Sequence, residues 1–439
     1  MNILHYALGF PPYRSGGLTK FCFDLAKQQV REGDTVGMLW PGEMRISGHQ
    51  TSIRYHQNDC GVHSYEVINP NPISYDEGIM NIDSFMEKGD EEIYMRFLKQ
   101  IKPDVIHFHT FMGMHKSLLT AAKKMGIRTC FTAHDFYPIC AKVTLFRDGE
   151  VCTDAEKCSS CPVCNVTALS TKKIWLLQSS LYRKIKDVPV VKKLRKEHRD
   201  AYLSDEQEPN KKKNSLKPED YLKLRNFYEQ MLRNIDIVHF NSSVTKSVFD
   251  TFFQIPNNVI IPITHADISE HQMEKKAHDR LHISYFGPQS VNKGYFILKK
   301  ALDELWNQRK DFSLNVYFEP VKKGEYEIPH QRYSYDELTK VMQKADIVIV
   351  PSIGYETFGY TVLEAMSYGV PVIVSNRVGA KDIIPIGGGI VFDEINPLGI
   401  WEVLEGLNME KVKEMNAVLC RSTVLTIEQM SRMIKENCY

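Results

Sequence analysis

The sequence predicts an α/β protein of two doubly wound, Rossmann-like domains facing one another across a cleft. Three observations predict it. The chain opens on a strand, a glycine loop, a helix and a second strand in succession. A second series of alternating strands and helices begins near residue 280. The length of 439 residues suits two or three domains, at roughly 100–200 residues each.

Asn2 to Gly9 reads as a buried strand. A Pro- and Gly-rich loop follows and ends at Arg14-Ser15-Gly16-Gly17, before a helix with Phe21, Leu25 and Val30 on one face. Gly33-Asp34 turns the chain into the strand Thr35 to Trp40, completing a parallel βαβ unit. Residues 43–90 give mixed signals and no assignment. Asp104 to His109, Arg128 to Ala133 and Ile235 to Phe240 are further strands. In the second half, strands fall at His282 to Phe286, Phe312 to Phe318, Asp346 to Val350 and Val370 to Ser375. Helices fall at Tyr295 to Trp306, Tyr335 to Lys344 and Thr361 to Tyr368. The expected division is 1–275 for the first domain, with an insertion over 140–230, then 276–410 for the second. Residues 411–439 should be helices that return to the first domain. Ligands of such sheets bind outside the carboxyl ends of the strands.

A net charge of +1 gives the molecule no global attraction to nucleic acid, and no nucleic-acid motif accompanies its local basic runs. No stretch approaches the ~18 apolar residues of a membrane span. Met1 to Phe10 has no basic leader, so no secretory signal is read and a cytoplasmic location is expected.

The most informative string runs from Pro351 to Met366, PSIGYETFGYTVLEAM. Glu356 lies in a loop after a strand, and Glu364 follows eight positions later, two turns into a helix. Phe358-Gly359 makes the tight turn between them, and the helix start at Tyr360 and Thr361 offers free N–H groups that suit a phosphate. A carboxylate farther along can hold a ribose diol. Two glutamates at this spacing are common when taken alone. The whole string, with Gly369-Val370-Pro371-Val372-Ile373 and Val378-Gly379-Ala380-Lys381-Asp382 after it, resembles the E-x7-E signature of the retaining glycosyltransferases of family four, which have the GT-B fold. Gly16-Gly17, Asp104-Val105-Ile106-His107, Phe131-Thr132-Ala133-His134-Asp135 and Phe286-Gly287 with Lys293-Gly294 resemble other segments of that family. The resemblance implies a nucleotide-sugar donor and a glycan, lipid-linked or protein acceptor. It implies Lys293 and Gly287 at the donor diphosphate, Glu364 at the ribose, Glu356 near the reacting carbon and His134 beside the donor sugar. One departure stands out: Pro288 occupies a place where the family usually has arginine. That departure keeps open a non-catalytic partner that only binds nucleotide sugar. The chain has no Asp-x-Asp and no G-x-x-x-x-G-K-[ST], so neither a catalytic divalent metal nor phosphoryl transfer from ATP is expected.

Cys140, Cys152, Cys158, Cys161 and Cys164 hold half of the ten cysteines within 25 positions. Cys161-Pro162-Val163-Cys164 is a C-x2-C knuckle, and four such thiolates make a structural zinc site. Cys140, Cys152, Cys161 and Cys164 are the preferred set, with an iron–sulfur cluster or reduced thiols as alternatives. Next comes a basic stretch in which Ile174, Leu177, Leu181 and Ile185 recur at helical spacing among Lys172, Lys173, Arg183, Lys184 and Lys186. Lys192, Lys193, Arg195, Lys196 and Arg199 continue it. A basic amphipathic helix of this kind either lies on an anionic membrane or packs, solvated, on its own domain.

Overall fold

The computed structural model describes residues 1–439 apart from 11–15, 46, 47, 49, 75 and 196–213. The Pro-rich part of the first glycine loop, Lys196, Arg199 and residues 205–213 of the polar run lie outside the described residues.

Ten strands precede residue 261: β1 (Asn2–Tyr6), β2 (Thr35–Pro41), β3 (Ser52–Asp59), β4 (Val62–Ile68), β5 (Val105–Phe108), β6 (Arg128–Ala133), β7 (Phe146–Arg147), β8 (Glu150–Val151), β9 (Ile237–Phe240) and β10 (Asn258–Ile260). All but the β7–β8 hairpin form one sheet in the order β10-β9-β6-β5-β1-β2-β4-β3. The second half holds β11 (Leu281–Tyr285), β12 (Phe312–Val316), β13 (Glu327–Pro329), β14 (Ile347–Val350), β15 (Val372–Ser375) and β16 (Gly389–Phe392). They form a parallel sheet in the order β13-β12-β11-β14-β15-β16. Each sheet winds outward one way from its first strand and then the other way. The switch points fall between β1 and β5 and between β11 and β14, where such folds open a crevice. The strands β14 and β15 are short, almost wholly apolar and buried, as parallel strands covered on both faces must be.

The unassigned stretch 43–90 supplies β3 and β4, an antiparallel pair at the sheet edge. Their tight turn places Cys60 and Gly61 at φ of 51° and 84°, the left-handed pair that a two-residue hairpin needs. One apolar core spans both halves: Ala7, Phe10 and Phe21 share it with Val348, Phe358 and Val362 and with Met430 and Ile434 of the last helix. That helix, Ile427–Cys438, returns to the first half, where Ser431 and Lys435 bind Glu32 at 2.9 and 2.6 Å.

The basic stretch differs from the expected continuous helix. It forms the short helices Thr171–Leu177 and Ser180–Ile185, broken at Gln178 and Ser179, and is helical again over 189–195. Two side chains hold the break: Gln178 accepts from the distant Ile73 N at 2.9 Å, and the Ser179 hydroxyl caps the second helix. Arg183 adds an ion pair of 2.5 Å to the buried Glu66, fastening the insertion to the first sheet.

Candidate functional site

Two loops leave β11 and β14 at the switch point of the second sheet, and they carry most of the residues singled out in the sequence. Gly294 has φ of 75°, and a Cβ there would stand 1.9 Å from the Pro351 carbonyl oxygen, so only glycine fits. The Asn292 carbonyl accepts from both Ile353 N and Gly354 N at 3.0 Å, tying the loops together. A Cβ at Gly287 would stand 2.4 Å from the Tyr285 hydroxyl, which donates to the Pro288 carbonyl at 2.7 Å. Lys293 Nζ is thereby held 3.1 Å from Glu356 Oε1, an oxygen that also accepts from the Ser352 hydroxyl.

Glu356 N donates to the Arg377 carbonyl at 3.0 Å, and Gly359, at φ of 104°, turns the chain into the helix Tyr360–Ser367. This helix has no side-chain cap, so its opening N–H groups at Tyr360 and Thr361 lack a side-chain acceptor and suit an anion. Phe358 is buried and packs edge-on to Tyr360. Glu364 is also buried, with Oε1 3.5 Å from His265 Nε2, and the Tyr335 hydroxyl donates to it. Phe286 and Tyr317, just past β11 and β12, stack at 4.8 Å beside this group.

The first half faces this assembly. Gly16, at φ of 133°, opens the helix Gly17–Arg31, and Gly17 comes so near the Tyr360 ring that a Cβ would lie 3.5 Å from it. The Thr357 hydroxyl donates to the His134 carbonyl at 2.8 Å, and the Ser242 hydroxyl donates to the Thr357 carbonyl at 2.6 Å. The structure therefore brings His134 against the loop that carries Glu356, 222 positions away in the sequence. His134 follows β6, is half-buried, and packs edge-on against Phe21 at 4.6 Å. Burial, helped by His239, drops its pKa to about 3, so the ring is neutral. Burial pushes the neighbouring Asp135 carboxyl up to about 6.

Sequence reasoning missed several residues here. His5, His107, His109 and His239 lie behind His134, buried in or just beyond the first-sheet strands, with Gln29, Thr132 and Tyr439 among them. Their signal was present: each apolar run NILHY, DVIHFH and IDIVHF contains a histidine. His265 and Tyr335 beside Glu364 had no such signal. The place of the missing arginine is taken only by backbone at Pro288. Besides Lys293, the Glu356 loop carries the cation Arg377 against it: its guanidinium donates to Ile353 O at 2.5 Å and lies 5.7 Å from the Tyr355 ring.

Three of the five clustered cysteines, Cys140, Cys158 and Cys161, lie near Arg225, a buried guanidinium that donates to Ile139 O at 3.0 Å. None of the ten cysteines is in a disulfide. The segment holds Val143, Leu145, Asp148 and Cys158 at positive φ, an unusually tight winding for residues with side chains. Among the described residues, the groups of three ligand atoms within 4.8 Å of one another are His5/His107/His109, Cys22/His109/His134 and His278/His282/Asp346. The clustered cysteines supply none. A tetrahedral four-thiolate shell needs sulfurs about 3.8 Å apart, so as placed they do not close around one ion.

Residues 15–151 match the family described as Glycosyltransferase Family 4, and residues 323–405 match Glycosyl transferases group 1. Together the two segments make up half of the chain. An uncharacterized 42.6 kDa protein in the cps region of Klebsiella pneumoniae is 22% identical over 396 residues, covering 86% of each chain. A glycosyltransferase from Rickettsia africae has a similar structure, with a TM-score of 0.58 at 14% identity over 99% of this chain and 97% of that one. Anabaena HepE in complex with UDP and glucose is similar at a TM-score of 0.53 and 11% identity, over 99% and 98%. The chain belongs to the family 4 glycosyltransferases and carries their GT-B fold, two facing Rossmann-like domains.

Proposed function

We propose that the chain is a retaining transferase that moves a sugar from a nucleotide-sugar donor to a glycan, glycolipid or glycoprotein acceptor, without a catalytic divalent metal. The observation that carries this reading is the Thr357–His134 hydrogen bond, which sets the loop of Glu356 and Lys293 against the first half. A donor diphosphate would sit between Lys293, the uncapped start of the helix Tyr360–Ser367 and the loop at Gly287. Charge developing on the leaving group is then met by the ammonium and the helix N–H groups, fixed before the bond breaks. Arg377 is the cation available to complete that set. Glu364, buried beside His265 and Tyr335, would accept from the ribose hydroxyls. The stacked Phe286 and Tyr317 offer an aromatic face for the base. The acceptor would approach from the Gly16-Gly17 side.

Two further parts of the reading concern the insertion. Zinc held by four of the five cysteines would have to draw their sulfurs together. The nearby Arg225 charge suits the dianion that four thiolates and one zinc ion make. The exposed Leu181, Val190 and Leu194, at 59%, 67% and 60%, lie among basic residues and suit an anionic membrane surface. Among the described residues no helix is long and apolar enough to cross a membrane, so this contact would be peripheral, on the cytoplasmic face.

The test is release of nucleoside diphosphate from a panel of nucleotide sugars, with and without acceptor extracts, preceded by a thermal-shift screen. A ligand at ~100 times its dissociation constant adds ~2.7 kcal/mol of stability. Binding without turnover under every acceptor condition would replace the transferase with a non-catalytic partner. Sedimentation with phosphatidylserine vesicles, but not with neutral ones, tests the membrane contact.

A further inference from the structure

Hydrogen bonds join the histidines behind the cleft into one chain, and its polarity can be worked out from one end. His239 Nε2 lies 2.7 Å from the Ile261 carbonyl oxygen. A carbonyl only accepts, so Nε2 carries the proton. Burial keeps His239 neutral, so its Nδ1 is a bare lone pair and accepts from the Thr132 hydroxyl at 2.8 Å. Thr132 has given away its one proton and must accept from His107 Nε2 at 2.6 Å. His107, also neutral by burial, accepts at Nδ1 from the Tyr439 hydroxyl at 2.8 Å. The Tyr439 oxygen accepts from Gln29 Nε2 at 3.1 Å, which turns the Gln29 carbonyl toward His5 Nε2 at 2.7 Å. His5 Nδ1 then accepts from His109 Nε2 at 2.9 Å, and His109 Nδ1 from His134 Nε2 at 3.2 Å. Each step follows from the one before, and all five rings come out as Nε2–H tautomers.

The chain ends at His134 Nδ1, which is left as an acceptor. This atom has no hydrogen-bond partner among the described residues and is not among the sealed, unpartnered atoms, so it is open to what enters the cleft. We propose that Gln29 and Tyr439 are positioning residues for sugar transfer: their chain holds His134 as the Nε2–H tautomer and so presents Nδ1 to a sugar hydroxyl. The proposal rests on the reading of His134 as a residue beside the donor sugar. Neither Gln29 nor Tyr439 touches that space. Both act through other rings, and Tyr439 extends the control to the residue after the last helix.

Long-range 15N–1H spectra of the histidine-labelled full chain at pH 7 read the tautomers directly. His5, His107, His109, His134 and His239 should all show Nε2–H. In Gln29→Leu, His134 should become a mixture of tautomers, and kcat should fall about tenfold, the value of one well-placed hydrogen bond, with donor KM within about twofold. Tyr439→Phe removes one hydroxyl and keeps the ring, so it carries the same two readouts if Gln29→Leu fails to fold. Nδ1–H at His134 in the unaltered protein overturns the proposal. So does a change of tautomer in either variant that leaves kcat untouched. Zinc or nickel that erases these N–H signals overturns it in favour of a metal site on His5, His107 and His109. If His134→Ala turns over normally while the tautomers stand as derived, it is the reading of the site that has failed.

Discussion

The six strands β4-β2-β1-β5-β6-β9 of the first sheet repeat the order of the whole second sheet, and the two differ in what they bury. In the second sheet β14 and β15 are almost wholly apolar, and the polar chemistry sits beyond them, at Lys293 and Glu356 in the loops and at Glu364 in the helix that follows. In the first sheet the polar groups lie in and just beyond the strands, where His5, His107, His109, Thr132 and His239 are fully buried. Loop groups can be satisfied by water or by ligand. Buried ones must satisfy each other, since each left unpaired costs roughly 1–3 kcal/mol. Function in the second half is therefore separable from stability, and in the first half the two are joined.

The largest expected effect tests the separable half. Lys293→Ala should lower kcat by about 10²–10³, the size seen when one preorganised charge-stabilising donor is lost. Glu356→Ala should likewise act mainly on turnover. Melting temperatures should hardly move, because Lys293 is a third exposed and such pairs contribute only ~0–1 kcal/mol. A marked fall in melting temperature would erase the contrast between the halves.

Glu364→Ala should act on donor binding, raising its dissociation constant by about 10- to 150-fold, or ~1.5–3 kcal/mol for a hydrogen bond to a charged group. Isothermal titration with the nucleoside diphosphate measures this. Unchanged affinity would remove Glu364 from the ribose.

Acid should strike the first half. His5 and His239 have pKa values near 4 and His134 near 3, below the ~6.5 of an unfolded imidazole, because burial disfavours their charged forms. Unfolding then takes up protons between about pH 6.5 and 4. Stability from these groups is complete above that window and is lost as pH falls through it. Asp135 opposes them: raised to about 6, its contribution is complete below ~3.9 and is lost as pH rises. The imidazoles outnumber it, so the melting temperature should drop between pH 7 and 5. A flat or rising profile would mean that the buried rings are charged.

The smallest effect concerns the cysteine loop. Elemental analysis of freshly reduced protein should find close to one zinc per chain, and chelation should loosen the insertion and slow turnover modestly through the adjacent His134 loop. Finding neither zinc nor iron would remove the metal. Metal loss at an unchanged rate would sever the loop from the site.

Strand and helix positions in both halves were readable because parallel, doubly covered strands are apolar runs and the glycine turns between them are few. The donor loop was readable for a related reason. Glu356, Gly359, Tyr360 and Glu364 lie within one short segment, so their spacing is a local property of one turn and one helix. The β3–β4 hairpin was not legible, since an edge strand facing water loses the apolar run. The break at Gln178 was hidden because its partner, Ile73 N, lies over a hundred positions away.

What the sequence determined by itself was the repeated α/β winding, the family and the local arrangement of the segment from Pro351 to Met366. What only the tertiary structure decided was which distant groups meet. The approach of Thr357 to His134, the pairing of Glu364 with His265, and the hydrogen-bond chain from Ile261 through Tyr439 to His134 each join residues from separate elements. A histidine in an apolar run signals that a partner must exist. Only packing says whose atom it is, because the pairing is set by how strands and the last helix stack, and no spacing along the chain encodes that.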